Sequence, residues 1–161
     1  GPIKTFIHYH IGHNYRMSDI HCAIAYSHFE QIDYILEMRQ NILKKYVSYL
    51  PEYSSFFQMD KSGVNNVNWV TTFQLPEKLL SKRDDLEKYL LKNNVQSRKF
   101  FAPMSEQPIF SDMDGKIVGE LCNSIKISKS GIYLPTFIGI EDKTILKICK
   151  LLRKFLKMNN F

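Results

Sequence analysis

With 161 residues, 44% hydrophobic and 24% charged, the chain is long enough for one globular domain that needs no metal or disulfide staple. No apolar run approaches the roughly 20 residues that cross a bilayer, which leaves a soluble protein as the expectation. A net charge of +6, from 22 basic and 16 acidic residues with pI near 9.2, favours anionic ligands but does not choose between phosphates and nucleic acid.

Gly1-Pro2 matches the remnant a protease leaves when a purification tag is removed, and it is set aside. Native sequence is then expected from Ile3, at a start point within a longer protein or at a trimmed end. Residues 3–17 (IKTFIHYHIGHNYRM) lack helical periodicity and read as an extended or looped entry. Ser18 or Asp19 supplies the N-cap oxygen of a helix. Ile20, Ile24, Ile32, Ile35, Leu36, Ile42, Leu43, Tyr46 and Leu50 recur at helical spacing, and Pro51 stops the run. The pattern predicts one helix over residues 18–50. A helix of that length ties two lobes together or lines an interface.

Residues 52–66 are polar and turn-rich. Val67–Leu75 reads as a strand, Ser81–Asn94 as a helix with Asp84 and Asp85 in its first turn, and Val95–Phe101 as a second strand. A loop with Pro103 and Pro108 covers 102–113. Lys116–Ser128 is a predicted helix, Ile132–Leu134 a third strand after Gly131, and Glu141–Lys157 a closing amphipathic helix. In that last helix Ile145, Ile148, Leu152, Phe155 and Leu156 fall on one face, opposite Lys143, Lys147, Lys150, Lys154 and Lys157. This predicts packing on a sheet with the lysines in water; docking on an anionic surface is the alternative. The sum is an α+β domain: a long helix, then a small sheet with packed helices.

Cys22, Cys122 and Cys149 are odd in number, far apart and without a CxxC pair. They argue against a disulfide framework or zinc knuckle, favour a reducing cytoplasm, and read as three buried small hydrophobes. His8, His10 and His13 invite a metal reading, but strand alternation separates His13 from the other two and no carboxylate completes a set, so no metal is expected.

Three ordered segments carry a resemblance. Gly12-His13-Asn14-Tyr15-Arg16-Met17-Ser18-Asp19-Ile20 with Ala23-Ile24, then Val95-Gln96-Ser97-Arg98-Lys99-Phe100-Phe101-Ala102-Pro103-Met104-Ser105, then Gly131-Ile132-Tyr133-Leu134-Pro135-Thr136 resemble motifs of the DegT/DnrJ/EryC1/StrS sugar aminotransferases. The Ser-Arg and Pro-Met-Ser variants are most like the perosamine-synthase branch. His13, His21-Cys22 and Lys99 depart from the usual pattern and leave fine specificity open.

The resemblance implies the small C-terminal domain of a fold-type I aminotransferase. Residues 3–17 would end the large-domain segment, 18–50 would form the connecting helix, and 51–161 the small domain. It implies a parent that uses pyridoxal 5'-phosphate to move an amino group, usually from glutamate, to a keto-deoxy-sugar nucleotide. The lysine that carries the cofactor, the phosphate loop and the carboxylate facing the pyridine nitrogen precede these motifs in the family. The chain alone is therefore expected to be inactive.

Asn14 is implied to reach across a homodimer interface, built from its own region and the long helix, to the cofactor phosphate in the neighbouring subunit. Its plainer alternative is a turn residue. Arg16 could clamp a nucleotide diphosphate or form a surface ion pair; Arg98 could face substrate or pair with a carboxylate. Ser105 and Glu106 are candidates for sugar contacts by position in the family, or loop residues. A standalone non-catalytic module that completes a partner chain is the alternative function. A nucleic-acid or membrane binder rests on charge alone and ranks last; neither partner is expected.

Overall fold

The computed structural model describes residues 6–59, 61–111 and 119–161. The expected single helix over 18–50 is two helices, α1 (Asp19–Phe29) and α2 (Ile32–Tyr49). Ser18 caps α1: its backbone is extended at ψ 158° and its Oγ accepts from the His21 amide. At the break the Gln31 amide donates to the His28 carbonyl at 3.1 Å, a tighter turn than the α-helical bond, and Gln31 leaves helical geometry at φ −114°, ψ 19°. Neither proline nor glycine stands there. The break divides the apolar stripe by fate. α1 buries no residue, whereas α2 buries Ile42, Leu43 and Tyr46.

Past Pro51–Phe56, a 3-10 turn, the chain forms β1 (Thr71–Gln74), α3 (Arg83–Lys92), β2 (Arg98–Lys99), a short helix α4 (Pro108–Ser111), α5 (Cys122–Ser130), β3 (Gly131–Leu134) and α6 (Asp142–Met158). The first two strands are shorter than expected for local reasons. Before β1, Asn68 takes a positive φ of 50° and turns back on the side chain of Asn66. Before β2, Asn94 takes φ 59° at the end of α3 and the Val95 amide closes on the Leu90 carbonyl at 2.9 Å, so Val95 completes a helix cap. The expected helix over 116–128 lies partly outside the described residues; α5 begins at Cys122.

The sheet is antiparallel in the order β1-β3-β2. Phe73 lies opposite Ile132 and Thr71 opposite Leu134, and all four are buried. On the core side α6 buries Ile145, Ile148, Leu152, Phe155 and Leu156, the residues its periodicity predicts. Leu86 and Leu90 of α3 and Tyr46 of α2 complete this core. Burial raises the Tyr46 hydroxyl pKa above the ordinary tyrosine range, and its proton is donated to the Pro135 carbonyl at 2.9 Å. The alternate positions Thr72, Tyr133 and Arg98 share one register row on the other face, which no helix seals among the described residues.

One close approach fixes that open face. A Cβ on Gly131 would come within 2.3 Å of the Phe100 ring, so only glycine permits the ring to lie over β3. Gly131→Ala should cost about 1–3 kcal/mol through overpacking, read as a lower urea midpoint and a lower Tm.

The cysteines correct the expectation of three buried side chains. Cys149 is buried, but Cys22 and Cys122 are exposed and all three are free. Cys22 lies on α1, which covers nothing in this domain. Burial pushes the Cys149 thiol up to about 12, outweighing the lowering influence of Arg153. Ellman's reagent should therefore titrate two thiols rapidly at mildly alkaline pH and the third only after unfolding.

Candidate functional site

The entry segment ahead of the first motif meets the second motif through a side chain that belongs to neither. Gln107 is buried, with its Oε1 accepting from the His8 amide at 2.8 Å and its Nε2 donating to the Phe6 carbonyl at 2.9 Å. The Ile109 amide adds a bond to the His8 carbonyl at 3.2 Å, and the Phe6 ring meets Phe101 edge-on at 4.5 Å. A buried amide with both ends satisfied holds two strands of chain in fixed register. The entry segment is thereby laid along the loop that follows β2.

Two clefts result, sharing Met104. The first, about 540 Å³, lies between His8–Asn14 and the side chains of Met104, Ile109 and Phe110. Its lining includes Asn14, His8, His10 and His13, with neither lysine nor carboxylate among the described residues. The second, about 640 Å³, runs from Phe100–Ser105 to Tyr133 and α5, where Ser105, Ser124 and Ser128 supply hydroxyls and Phe101, Tyr133 and Ile127 apolar walls. Burial raises the Tyr133 hydroxyl pKa, a backbone hydrogen bond at Phe101 opposing it, so the phenol stays protonated at neutral pH.

The structure thus brings Asn14 and Ser105 into adjoining clefts. Arg16 is exposed and lines neither. Glu106 is exposed and lines neither; its amide closes the Met104–Glu106 turn by donating to the Pro103 carbonyl at 2.9 Å. Arg98 sits outside both clefts on the open face of β2, beside Tyr133 in register, and has no ion pair among the described residues. The carboxylate contacts fall to its neighbour: Lys99 meets Asp84 at 3.1 Å and Glu87 at 3.6 Å. Burial would raise Asp84, but hydrogen bonds from Lys99 and Arg83 hold it below the usual carboxylate range. Among the described residues no three His, Cys, Asp or Glu side chains gather as a metal site.

A three-stranded antiparallel sheet with its core helices on one face, preceded by one helix outside that core, is the architecture of the small C-terminal domain of a fold-type I aminotransferase. The chain belongs to the DegT/DnrJ/EryC1/StrS aminotransferase family, whose pattern matches residues 2–153. It is 28% identical over 152 residues to a GDP-perosamine synthase of Vibrio cholerae, covering 94% of this chain and 41% of that protein. It is 29% identical over 147 residues to EpsN of Bacillus subtilis (strain 168), described as a putative pyridoxal phosphate-dependent aminotransferase, covering 84% of this chain and 35% of that one. Among solved structures, PseC of Helicobacter pylori, an aminotransferase of pseudoaminic acid biosynthesis, superposes with a TM-score of 0.73 at 14% identity over 92% of this chain and 40% of its own. DesI with its TDP-sugar product superposes with a TM-score of 0.69 at 18% identity, covering 86% and 35%. The chain thus spans about two fifths of the length of such relatives.

Neither Gln107 nor Trp69, whose ring stacks on Phe101, stands out in the sequence. Gln107→Ala should release the Phe6–His8 segment. Amide exchange at His8 and Ile109 should accelerate about tenfold or more, while exchange in α6 stays slow.

Proposed function

We propose that this chain forms the small-domain part of a pyridoxal-phosphate-dependent aminotransferase that transfers an amino group from glutamate to a keto-deoxy-sugar nucleotide. The observation that carries the reading is the pair of clefts joined at Met104, with Asn14 in one and Ser105 in the other. Family membership supplies the reaction class, and the names of relatives such as GDP-perosamine synthase point to a nucleotide-linked sugar.

Fit to the cofactor is partial and specific. The first cleft offers an uncharged amide donor, suited to a phosphate, but among the described residues no amine to carry the cofactor and no carboxylate for a pyridine nitrogen. When bound, the cofactor supplies the electron sink for the amino-group transfer. Asn14 would hold its phosphate, and Ser105 and Glu106 would contact the sugar. Arg16 and Arg98 would meet the diphosphate, where a planar guanidinium gives paired hydrogen bonds. The groups this cleft lacks come from elsewhere in the assembled enzyme, so the chain alone is inactive.

Residues 3–17 are assigned to the end of the large-domain segment, 18–50 to the connection and 51–161 to the small domain. α2 is part of the small-domain core, and α1 is the portion left for contact beyond it. Its exposed Ile20, Ile24, Tyr26 and Phe29 give the apolar surface expected of a buried interface, and the Asn14 region leads directly into it. A homodimer through α1 and this region accounts for both. Among the described residues no helix is long and apolar enough to cross a membrane. A cytoplasmic enzyme remains the proposed setting.

Two measurements test the reading. The isolated chain, given pyridoxal phosphate, glutamate and a keto-sugar nucleotide, should show no transamination; turnover would overturn the proposed division of the site. In a chain that also carries the lysine-bearing region, Asn14→Ala should weaken cofactor retention by about 10- to 100-fold, the loss of one hydrogen bond to a charged group.

A further inference from the structure

We infer that the open face of the sheet is a stacking platform for the base of a nucleoside diphosphate, with Trp69 and Phe101 as the residues that meet the base. The inference rests on the nucleotide-linked substrate proposed above and assigns it side chains that no motif pointed to.

Four rings form a continuous row. Trp69, the single tryptophan, stacks on Phe101 at 6.3 Å with an interplanar angle of 18°. Phe101 meets Tyr133 at 5.5 Å, and Tyr133 stacks on Phe100 at 4.6 Å and 19°. Phe100 is held over Gly131, where no side chain could fit. At the other end of the row the Trp69 ring is exposed, stacked on Phe101, and its main chain is fixed. The Arg39 guanidinium donates to the Trp69 carbonyl, Asn68 turns the chain just before, and the Thr71 amide donates to the Thr136 hydroxyl at 2.7 Å just after.

Yet Trp69 is 59% exposed and Phe101 41% exposed. Large flat rings in fixed positions, left in water, are suited to a flat ligand, because ordering them adds little entropy cost at binding. Sugar and peptide ligands offer less flat surface than a heteroaromatic base, whose π-face fits any aromatic shelf.

The surroundings select a nucleotide over a bare aromatic. Arg98 stands beside Tyr133 on the same face with no ion pair among the described residues, a cation available to a diphosphate. The hydroxyl-lined cleft of Ser105, Ser124 and Ser128 begins at Phe101 and Tyr133, where the sugar would continue from the phosphates. Base, diphosphate and sugar thus each meet a matching surface around one row of rings.

Because Trp69 is the only tryptophan, its fluorescence reports on this shelf alone. The chain is titrated with GDP, UDP, guanosine and inorganic pyrophosphate. GDP and guanosine should quench saturably, GDP at lower concentration, and pyrophosphate should not quench. Phe101→Leu, checked for an unchanged circular dichroism spectrum, should weaken GDP binding by about tenfold or more. Arg98→Gln should erase the advantage of GDP over guanosine while leaving guanosine binding in place.

Absence of quenching by GDP and guanosine overturns the inference, as does quenching by pyrophosphate alone, which marks a plain anion site. A fluorescence change on raising protein concentration without nucleotide also overturns it, since a second copy then covers the rings. Transamination is scored separately. Loss of base binding with activity intact in a lysine-bearing chain removes the platform and leaves the proposed function. Base binding without activity does the reverse.

Discussion

An amide buried away from water is costly unless its carbonyl and its NH₂ both find partners. In this protein the requirement is met by one residue, Gln107, whose partners are the main chain of Phe6 and His8. The two segments are about a hundred positions apart in sequence, so their proximity is tertiary and no local propensity could supply it. Everything built at the junction inherits its register: the placement of Asn14 opposite Met104 and Phe110, the edge-on contact of Phe6 with Phe101, and the common wall of the two clefts. Backbone carbonyls and amides recognise a glutamine without reading side chains, so this contact tolerates changes at Phe6 and His8 but not at Gln107.

The domain divides its labour across a single sheet. On one side α2, α3 and α6 cover Phe73, Ile132 and Leu134, and this side supplies the stability. On the other lie the rings of Phe100, Phe101, Tyr133 and Trp69, of which Phe101 and Trp69 are exposed. α1 repeats the asymmetry, carrying Ile20, Ile24 and Phe29 with no core of its own to bury them. Apolar surface of this kind is costly in water and is retained where something else covers it.

Much of this is legible in the sequence. The closing helix can be read directly because the buried residues of α6 repeat at helical spacing and face one core. The three motifs identify the family because residue order survives where overall identity is 28%. The break between α1 and α2 is not legible, since Glu30-Gln31 contains no residue that forbids helix. Val67–Leu75 and Val95–Phe101 suggest longer strands by their β-branched and aromatic content, but Asn68 and Asn94 take left-handed backbone that such a count ignores. Exposed Cys22 misleads for a related reason: composition cannot tell a buried apolar face from one awaiting a partner. At the site, Asn14 and Ser105 come from motifs, whereas Gln107 and Trp69 act through contacts that sequence spacing does not encode.

Lys99 shows how one departure from a family pattern can be absorbed. Where the motif that this segment resembles has proline, this chain places an ammonium that reaches Asp84 and Glu87 on α3. In a two-residue strand the side chains at 98 and 99 point to opposite faces. The lysine therefore turns toward α3 and satisfies carboxylates there, and Arg98 is left on the open face without competition from them. A proline at 99 would fix the same backbone by its ring and would leave Asp84 to Arg83 alone. The substitution replaces a covalent restraint with an electrostatic one, and the face that Arg98 shares with Tyr133 is preserved.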